Sequence, residues 1–137
     1  MDKSIFKAYD IRGKYPGEIN EGVAKKVASA LARYFKKGEI IVGHDARLSS
    51  PKLYRAVVSS LKKENPKLKV IKVGLITTPL LYFLVAKTDA TAGIAVTASH
   101  NPKEYNGLKV VGRNAAAISG KEIWNLLLKY GQAPTPN

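Results

Sequence analysis

Between Thr97 and Lys109 the chain reads T-A-S-H-N-P-K-E-Y-N-G-L-K, which places a hydroxyl, an imidazole and an amide in succession at Ser99, His100 and Asn101. Serine is a weak nucleophile at neutral pH and needs help. Acyl transfer is one chemistry, with His100 as base and Asp10 or Asp45 as the orienting carboxylate. It is the less favoured. No G-x-S-x-G elbow surrounds Ser99, adjacent side chains on an extended chain point opposite ways, and Asn101-Pro102 reads as a fixed turn. Phosphoryl transfer is the other, because Arg12, Arg47 and Lys109 supply positive charge. Arginine forks match phosphoryl oxygens, and lysine acts as a point charge or, with a lowered pKa, as a base. Taken singly, each of the three is better explained as ordinary surface charge, and Asp45 and Arg47 are close enough in sequence to pair with each other. A metal centre within the chain is not indicated. The 10 acids are scattered without a D-x-D cluster, whereas hard cations such as Mg²⁺ need convergent oxygens. His44 and His100 read as hydrogen-bonding groups rather than a metal pair.

These residues need a scaffold, and the apolar pattern predicts one. Ile5 to Ile11 reads as a first strand running into Arg12-Gly13. Asn20 is an N-cap for a helix to about Lys37, with Val23, Val27 and Leu31 at helical spacing. Gly38 closes it. Glu39 to Gly43 reads as a strand, and Ser50-Pro51 as cap and first turn of a helix to about Glu64. Lys69 to Val73 is a third strand. Thr78-Pro79 opens an apolar helix to about Lys87, and Ala92 to Ala98 is a fourth strand. Leu108 to Val111 reads as a short fifth strand or hairpin arm, with Asn106-Gly107 as a turn that folds Lys109 back toward Ser99. Ser119 caps a last helix with Ile123, Leu126, Leu127 and Tyr130 inside. The alternation predicts an α/β fold: a three-layer α/β/α sandwich around a mostly parallel mixed sheet of about four to five strands. The domain spans residues 1–130, and 131–137 reads as a linker or disordered tail. Ligands of such sheets sit beyond the carboxyl ends of the strands. The loops expected there carry Asp10, Arg12, His44, Asp45, Arg47, Thr77, Thr78, Ser99 and His100, so one polar site is expected on that rim.

Composition narrows the classes further. The chain has 137 residues, 23 Lys and Arg against 10 Asp and Glu, a formal charge of +13, and no cysteine. Disulfides and thiolate metal sites are excluded, and a reducing cytoplasm fits. The opening M-D-K-S-I-F-K is not a secretory signal, and the most apolar window, Thr78 to Ala86, is too short to span a bilayer. The basic surplus raises nucleic acid as a partner. No aromatic residues interleave with the lysine pairs to make a base-stacking platform, so nucleic acid is the less favoured partner and small phosphorylated ligands the more favoured.

Four motifs together resemble the α-D-phosphohexomutases. Thr97 to Pro102, followed by Asn106-Gly107-x-Lys109, looks like that family's phosphoserine loop. Phe6 to Gly13 (F-K-A-Y-D-I-R-G) is similar to the opening motif of its phosphomannomutase/phosphoglucomutase branch. Val42 to Pro51 (V-G-H-D-A-R-L-S-S-P) resembles a second signature and Gly74 to Pro79 a third. The resemblance implies that Ser99 carries a phosphoryl group between C1 and C6 of a hexose phosphate, through a hexose 1,6-bisphosphate that also serves as activator. Arg12 and Lys109 would stabilise charge and assist proton transfer, and His100 and Asn101 would shape the loop and contact the phosphoryl group. Tyr9, Asn101, Asp45 and Arg47 would bind substrate. Mg²⁺ would be ligated by phosphorylated Ser99 and by aspartates of a second domain. Position 44 departs from the family, with histidine where arginine is common. The chain resembles only the first of four domains. Alone it is therefore expected to be inactive, with the remaining mutase domains, in the same chain or a separate one, as partners. The competing expectation is a stand-alone basic module that binds nucleic acid.

Overall fold

A computed structural model describes residues 1–131. Asn20 begins α1 (Glu21–Phe35): its Oδ1 accepts the Val23 N–H at 3.0 Å, satisfying one of the donors that a helix start leaves unpaired. The chain then alternates through β2 (Gly38–His44), α2 (Ser50–Glu64), β3 (Leu68–Leu75), α3 (Thr78–Lys87), β4 (Ala92–Val96) and β5 (Tyr105–Val111). A two-residue β6 (Ala117–Ile118) leads to α4 (Gly120–Leu126), which runs on as a wider turn over Leu127–Gly131. Ser119 caps α4 through a reciprocal capping box with Glu122.

The first strand lies later than expected. Lys3–Ile5 is a single 3₁₀ turn that drops Ile5 into the core, and β1 is Ile11–Lys14. Ile11 to Gly13 therefore lie inside a strand rather than in a loop after one. Two caps are also displaced by one residue. Thr77, not Thr78, caps α3 by accepting the Leu80 N–H, and Ser49 occupies the cap position of α2 without a side-chain bond. Gly131 ends the wider turn after α4, and the rest of the linker or tail expected over 131–137 lies outside the described residues.

The strands are ordered β1-β5-β4-β2-β3, with β6 beside β5. β2 pairs in parallel with β3 and β4, and β5 runs antiparallel to both β4 and β1. β1 to β4 thus share one direction and β5 opposes them, which gives the expected mixed sheet with one small additional strand. Asn106-Gly107 is not a turn but part of β5. A Cβ at Gly107 would collide with the Ile11 carbonyl, so glycine is what lets β1 approach β5 there.

One face of the sheet is covered by α1, α2 and α4. Val27, Leu31, Leu53, Leu61 and Ile123 meet Ile40, Val42, Ile94 and Leu108 in a continuous core. The other face carries α3 and the short turn Arg113–Ala115, packing Leu81 and Val85 on Ile41, Ala95 and Val111. Each fully buried side chain of this size contributes about 1.5–3 kcal/mol. The result is an α/β/α sandwich whose second helical layer is thin.

Candidate functional site

The carboxyl ends of β2, β3 and β4 deliver His44, Leu75 and Val96 to one rim, where Val96 pairs with His44 and His44 with Leu75. β5 starts at that rim, and Thr97 N–H donates to the Gly107 carbonyl at 3.0 Å. Arg12 pairs with Gly107, so β1 carries it to the rim from within a strand. Lys109 lies two residues along β5, opposite Ala95, on the same face as Arg12 by strand alternation.

Ser99 stands just past β4, exposed, with φ +55, in the left-handed region that a non-glycine residue avoids. Holding it there costs about 1–3 kcal/mol, which the surroundings must offset. Ser99 N–H donates to Thr97 Oγ1 at 3.0 Å, and Asn101 closes the turn on the Ala98 carbonyl through both its N–H and its side-chain amide.

The strongest hold comes from Arg47. Its Nη1 donates to the carbonyls of Pro102 (2.7 Å) and Tyr105 (3.1 Å), and its Nη2 to those of Ser99 (2.9 Å) and Asn101 (2.7 Å). Its Nε lies 3.3 Å from Asp45 Oδ2. Asp45 Oδ1 in turn accepts the Arg47 N–H and the Ser50 hydroxyl. Asn106, fully buried, donates to both Ser49 Oγ (2.8 Å) and Ser50 Oγ (2.9 Å). Ser50, read from sequence as a helix cap, is instead the buried joint of this network.

Ser99, His100, Thr97 and Lys109 line one cleft of 840 Å³, with Asp45 on its wall and the start of α3, from Thr77 to Leu80, on its far side. That helix start adds positive potential to the cleft. Lys109 is half-buried and, among the described residues, has no carboxylate or carbonyl partner. A half-desolvated ammonium without an acid is suited to an incoming anion. Arg12 is bound through Nε to Asp10 Oδ1 at 2.8 Å, where Asp10 is 4% exposed. Its terminal amino groups have no protein acceptor among the described residues. Arg12 lines an adjoining cleft of 300 Å³ with Asn101 and Tyr105 rather than the Ser99 cleft itself. Tyr9 is 79% exposed and does not line the Ser99 cleft. His44 packs at a tilt against Tyr54 with ring centroids 4.7 Å apart, and its Nδ1 is 2.7 Å from the Asp45 carbonyl.

The structure thus gathers Ser99, His100, Lys109 and Asp45, sets Arg12 and Asn101 beside them, and leaves Tyr9 apart. Arg47 faces the loop backbone instead of the cleft. Sequence reasoning did not anticipate Ser49, Ser50 and Asn106 as supports. The one available signal was an asparagine beside a glycine just before an apolar strand, read there as a turn. Among the described residues no group of three or more His, Asp or Glu side chains could hold a metal ion. The residues present do not by themselves make a Mg²⁺ site.

Residues 3–133 match the family model described as phosphoglucomutase/phosphomannomutase, alpha/beta/alpha domain I. The chain is 45% identical over 119 residues to a Xanthomonas campestris protein named phosphohexose mutases, covering 87% of this chain and 26% of that one. It is 44% identical over 117 residues to a Klebsiella pneumoniae phosphomannomutase, covering 85% of this chain and 73% of the relative. A crystal structure of a phosphoglucomutase/phosphomannomutase family protein from Burkholderia thailandensis superposes with a TM-score of 0.78 at 34% identity, over 94% of this chain and 30% of that one. The chain spans about a quarter of the length of the Xanthomonas relative.

Proposed function

The chain belongs to the phosphoglucomutase/phosphomannomutase family as its α/β/α domain I, and from that membership we propose that it is the phosphoryl-carrying part of an enzyme that interconverts hexose 1- and 6-phosphates. The observation that carries this reading is Ser99: exposed at the rim, held at φ +55, and sharing a cleft with an unpaired Lys109.

In this reading the phosphoryl group moves from Ser99 Oγ to a hydroxyl of a hexose monophosphate. The serine O–P bond breaks, a sugar O–P bond forms, and the hydroxyl proton passes through a base in the cleft to the departing Ser99 Oγ. The resulting hexose 1,6-bisphosphate reorients and returns its other phosphoryl group to Ser99. Lys109 and Arg12 stabilise the charge on the transferring oxygens, and Lys109, half-buried, is the group suited to exchange the proton. His100 and Asn101 shape the phosphoryl pocket. Mg²⁺ would need one oxygen from phosphorylated Ser99 and the remainder from carboxylates outside this chain. The exposed Leu75, Leu80 and Phe83 on the α3 side of the rim suit a surface covered by the remaining mutase domains. Catalysis that rests on positioning then requires those domains, and the chain alone turns over no substrate. Among the described residues no helix is long and apolar enough to cross a membrane, and the cytoplasm is the compartment this reading assigns.

Intact mass provides the test. Incubation with glucose 1,6-bisphosphate, together with the remaining domains of a longer family member, should add one phosphoryl group to this chain. Ser99→Ala should abolish the gain. A gain that persists in Ser99→Ala, or no gain in the unaltered chain, overturns the reading.

A further inference from the structure

Arg47 lies in a loop of the candidate site, yet none of its donors faces the cleft. A guanidinium has five N–H groups in a rigid fork. Four of them reach the carbonyls of Ser99, Asn101, Pro102 and Tyr105, and the fifth points toward Asp45 Oδ2. These four carbonyls belong to one short segment, the connection from β4 to β5 and the first residue of β5. The side chain is held from behind by Asp45, which also accepts the Arg47 N–H and the hydroxyl of fully buried Ser50.

We propose that Arg47 is a positioning residue that fixes the β4–β5 connection so that Ser99 presents its hydroxyl to the cleft. The proposal rests on the reading of Ser99 as phosphoryl carrier. Ser99 adopts φ +55, and its own hydroxyl has no protein partner among the described residues. Its main-chain carbonyl, by contrast, is fixed by Arg47 at 2.9 Å. Released from that contact, residue 99 would relax to an ordinary backbone region and turn its Cβ, and with it Oγ, away from the reacting position. A fork is required for this. One lysine nitrogen presents its donors from a single point and cannot reach four carbonyls and a carboxylate together. Nor is Arg47 free to bind a substrate phosphate without abandoning these bonds.

The test uses the 137-residue chain with Arg47→Ala and Arg47→Lys. Amide hydrogen exchange is followed at Asn101 and Tyr105, whose N–H groups close the loop on the Ala98 and Pro102 carbonyls, and at Val42 and Ile94 in the central strands. Protection should fall about tenfold or more at Asn101 and Tyr105 in both variants and remain unchanged at Val42 and Ile94. In the mass experiment described above, the limiting rate of Ser99 phosphorylation should fall about a hundredfold, with the half-saturating concentration of glucose 1,6-bisphosphate within about twofold. Lysine should rescue neither readout. The proposal is overturned if Arg47→Lys restores protection and rate, if exchange at Asn101 and Tyr105 does not change, or if half-saturation rises while the limiting rate holds, which would make Arg47 a ligand of the donor. If the unaltered chain accepts no phosphoryl group, the carrier reading falls, and the exchange result still decides whether Arg47 holds the loop.

Discussion

On one face of the sheet α1, α2 and α4 seal Leu31, Leu53, Leu61 and Ile123 completely from water; on the other, among the described helices, α3 stands alone and leaves Leu80 50% and Phe83 57% exposed. The sealed face is a finished core. The thin face opens at the rim into the cleft that holds Ser99 and Lys109. The candidate chemistry therefore lies at the edge of the thinner helical layer, beside exposed Leu75, Leu80 and Phe83. Deleting a large apolar side chain should separate the two faces sharply. Leu31→Ala should lower unfolding stability by about 2–5 kcal/mol, because a filled site becomes a cavity. Phe83→Ser on the thin face should change it by no more than about 0.5 kcal/mol. Denaturant titration of both variants measures the contrast, and equal losses would mean that α3 is as deeply packed as the opposite layer.

The polar network at the rim forms a second contrast, a buried device on the sealed side of the sheet serving an exposed loop above it. Asn106→Ala removes the donor to Ser49 and Ser50 and strips a cross-link between β5 and the start of α2. A loss of about 1–3 kcal/mol is expected, the cost of leaving the buried Ser50 hydroxyl short of a partner. A substitution that is neutral in thermal melts would show that water replaces the amide without penalty.

Much of this architecture is legible in the sequence, and the exceptions share a cause. Asn20 and Ser119 announce their helices because capping is local chemistry, a side chain meeting a backbone three residues on. Thr77 and Thr78 differ by one position before Pro79, and the sequence does not separate them. β1 is misplaced by the apolar ends of Ile5 to Ile11, because what recruits Ile11 to Lys14 is β5, over 90 residues away. Ser50 and Asn106 are 56 residues apart, so no local pattern reveals that they bond. Arg47 shows the same limit. Its residue type suggests phosphate, whereas four carbonyls of a distant loop claim it. Ser99, His100 and Lys109 do line one cleft, but not through the expected turn at Asn106-Gly107: a strand end and its antiparallel partner, close in sequence, bring them together.

Ser99 itself can be used to set stability against chemistry. At φ +55 glycine is free of the strain that serine carries. Ser99→Gly should raise stability by about 0.5–1 kcal/mol, the relieved strain less the entropy of a freer unfolded chain, while removing the proposed phosphoryl acceptor. Chemical denaturation is the measurement. A destabilised Ser99→Gly would mean that the Ser99 side chain contributes packing or bonding that offsets its backbone.

The smallest expected effect is on the thin face at alkaline pH. Tyr82 of α3 is half-buried, and burial first, then the negative charge of Asp10, hold its phenol neutral and raise its pKa above the ordinary 10.0. The sign follows from proton binding: the folded state keeps the proton more tightly than the unfolded one. The associated stability is therefore intact below about pH 10 and is lost as pH climbs through the raised folded value. Tyr82→Phe removes this titration while keeping the ring, so its stability should fall less steeply above about pH 10 than that of the unaltered chain, with little difference at neutral pH. Unfolding midpoints measured across that range give the slope directly. Parallel slopes would mean that the folded state leaves the Tyr82 phenol at its ordinary value, so that neither burial nor Asp10 acts on it.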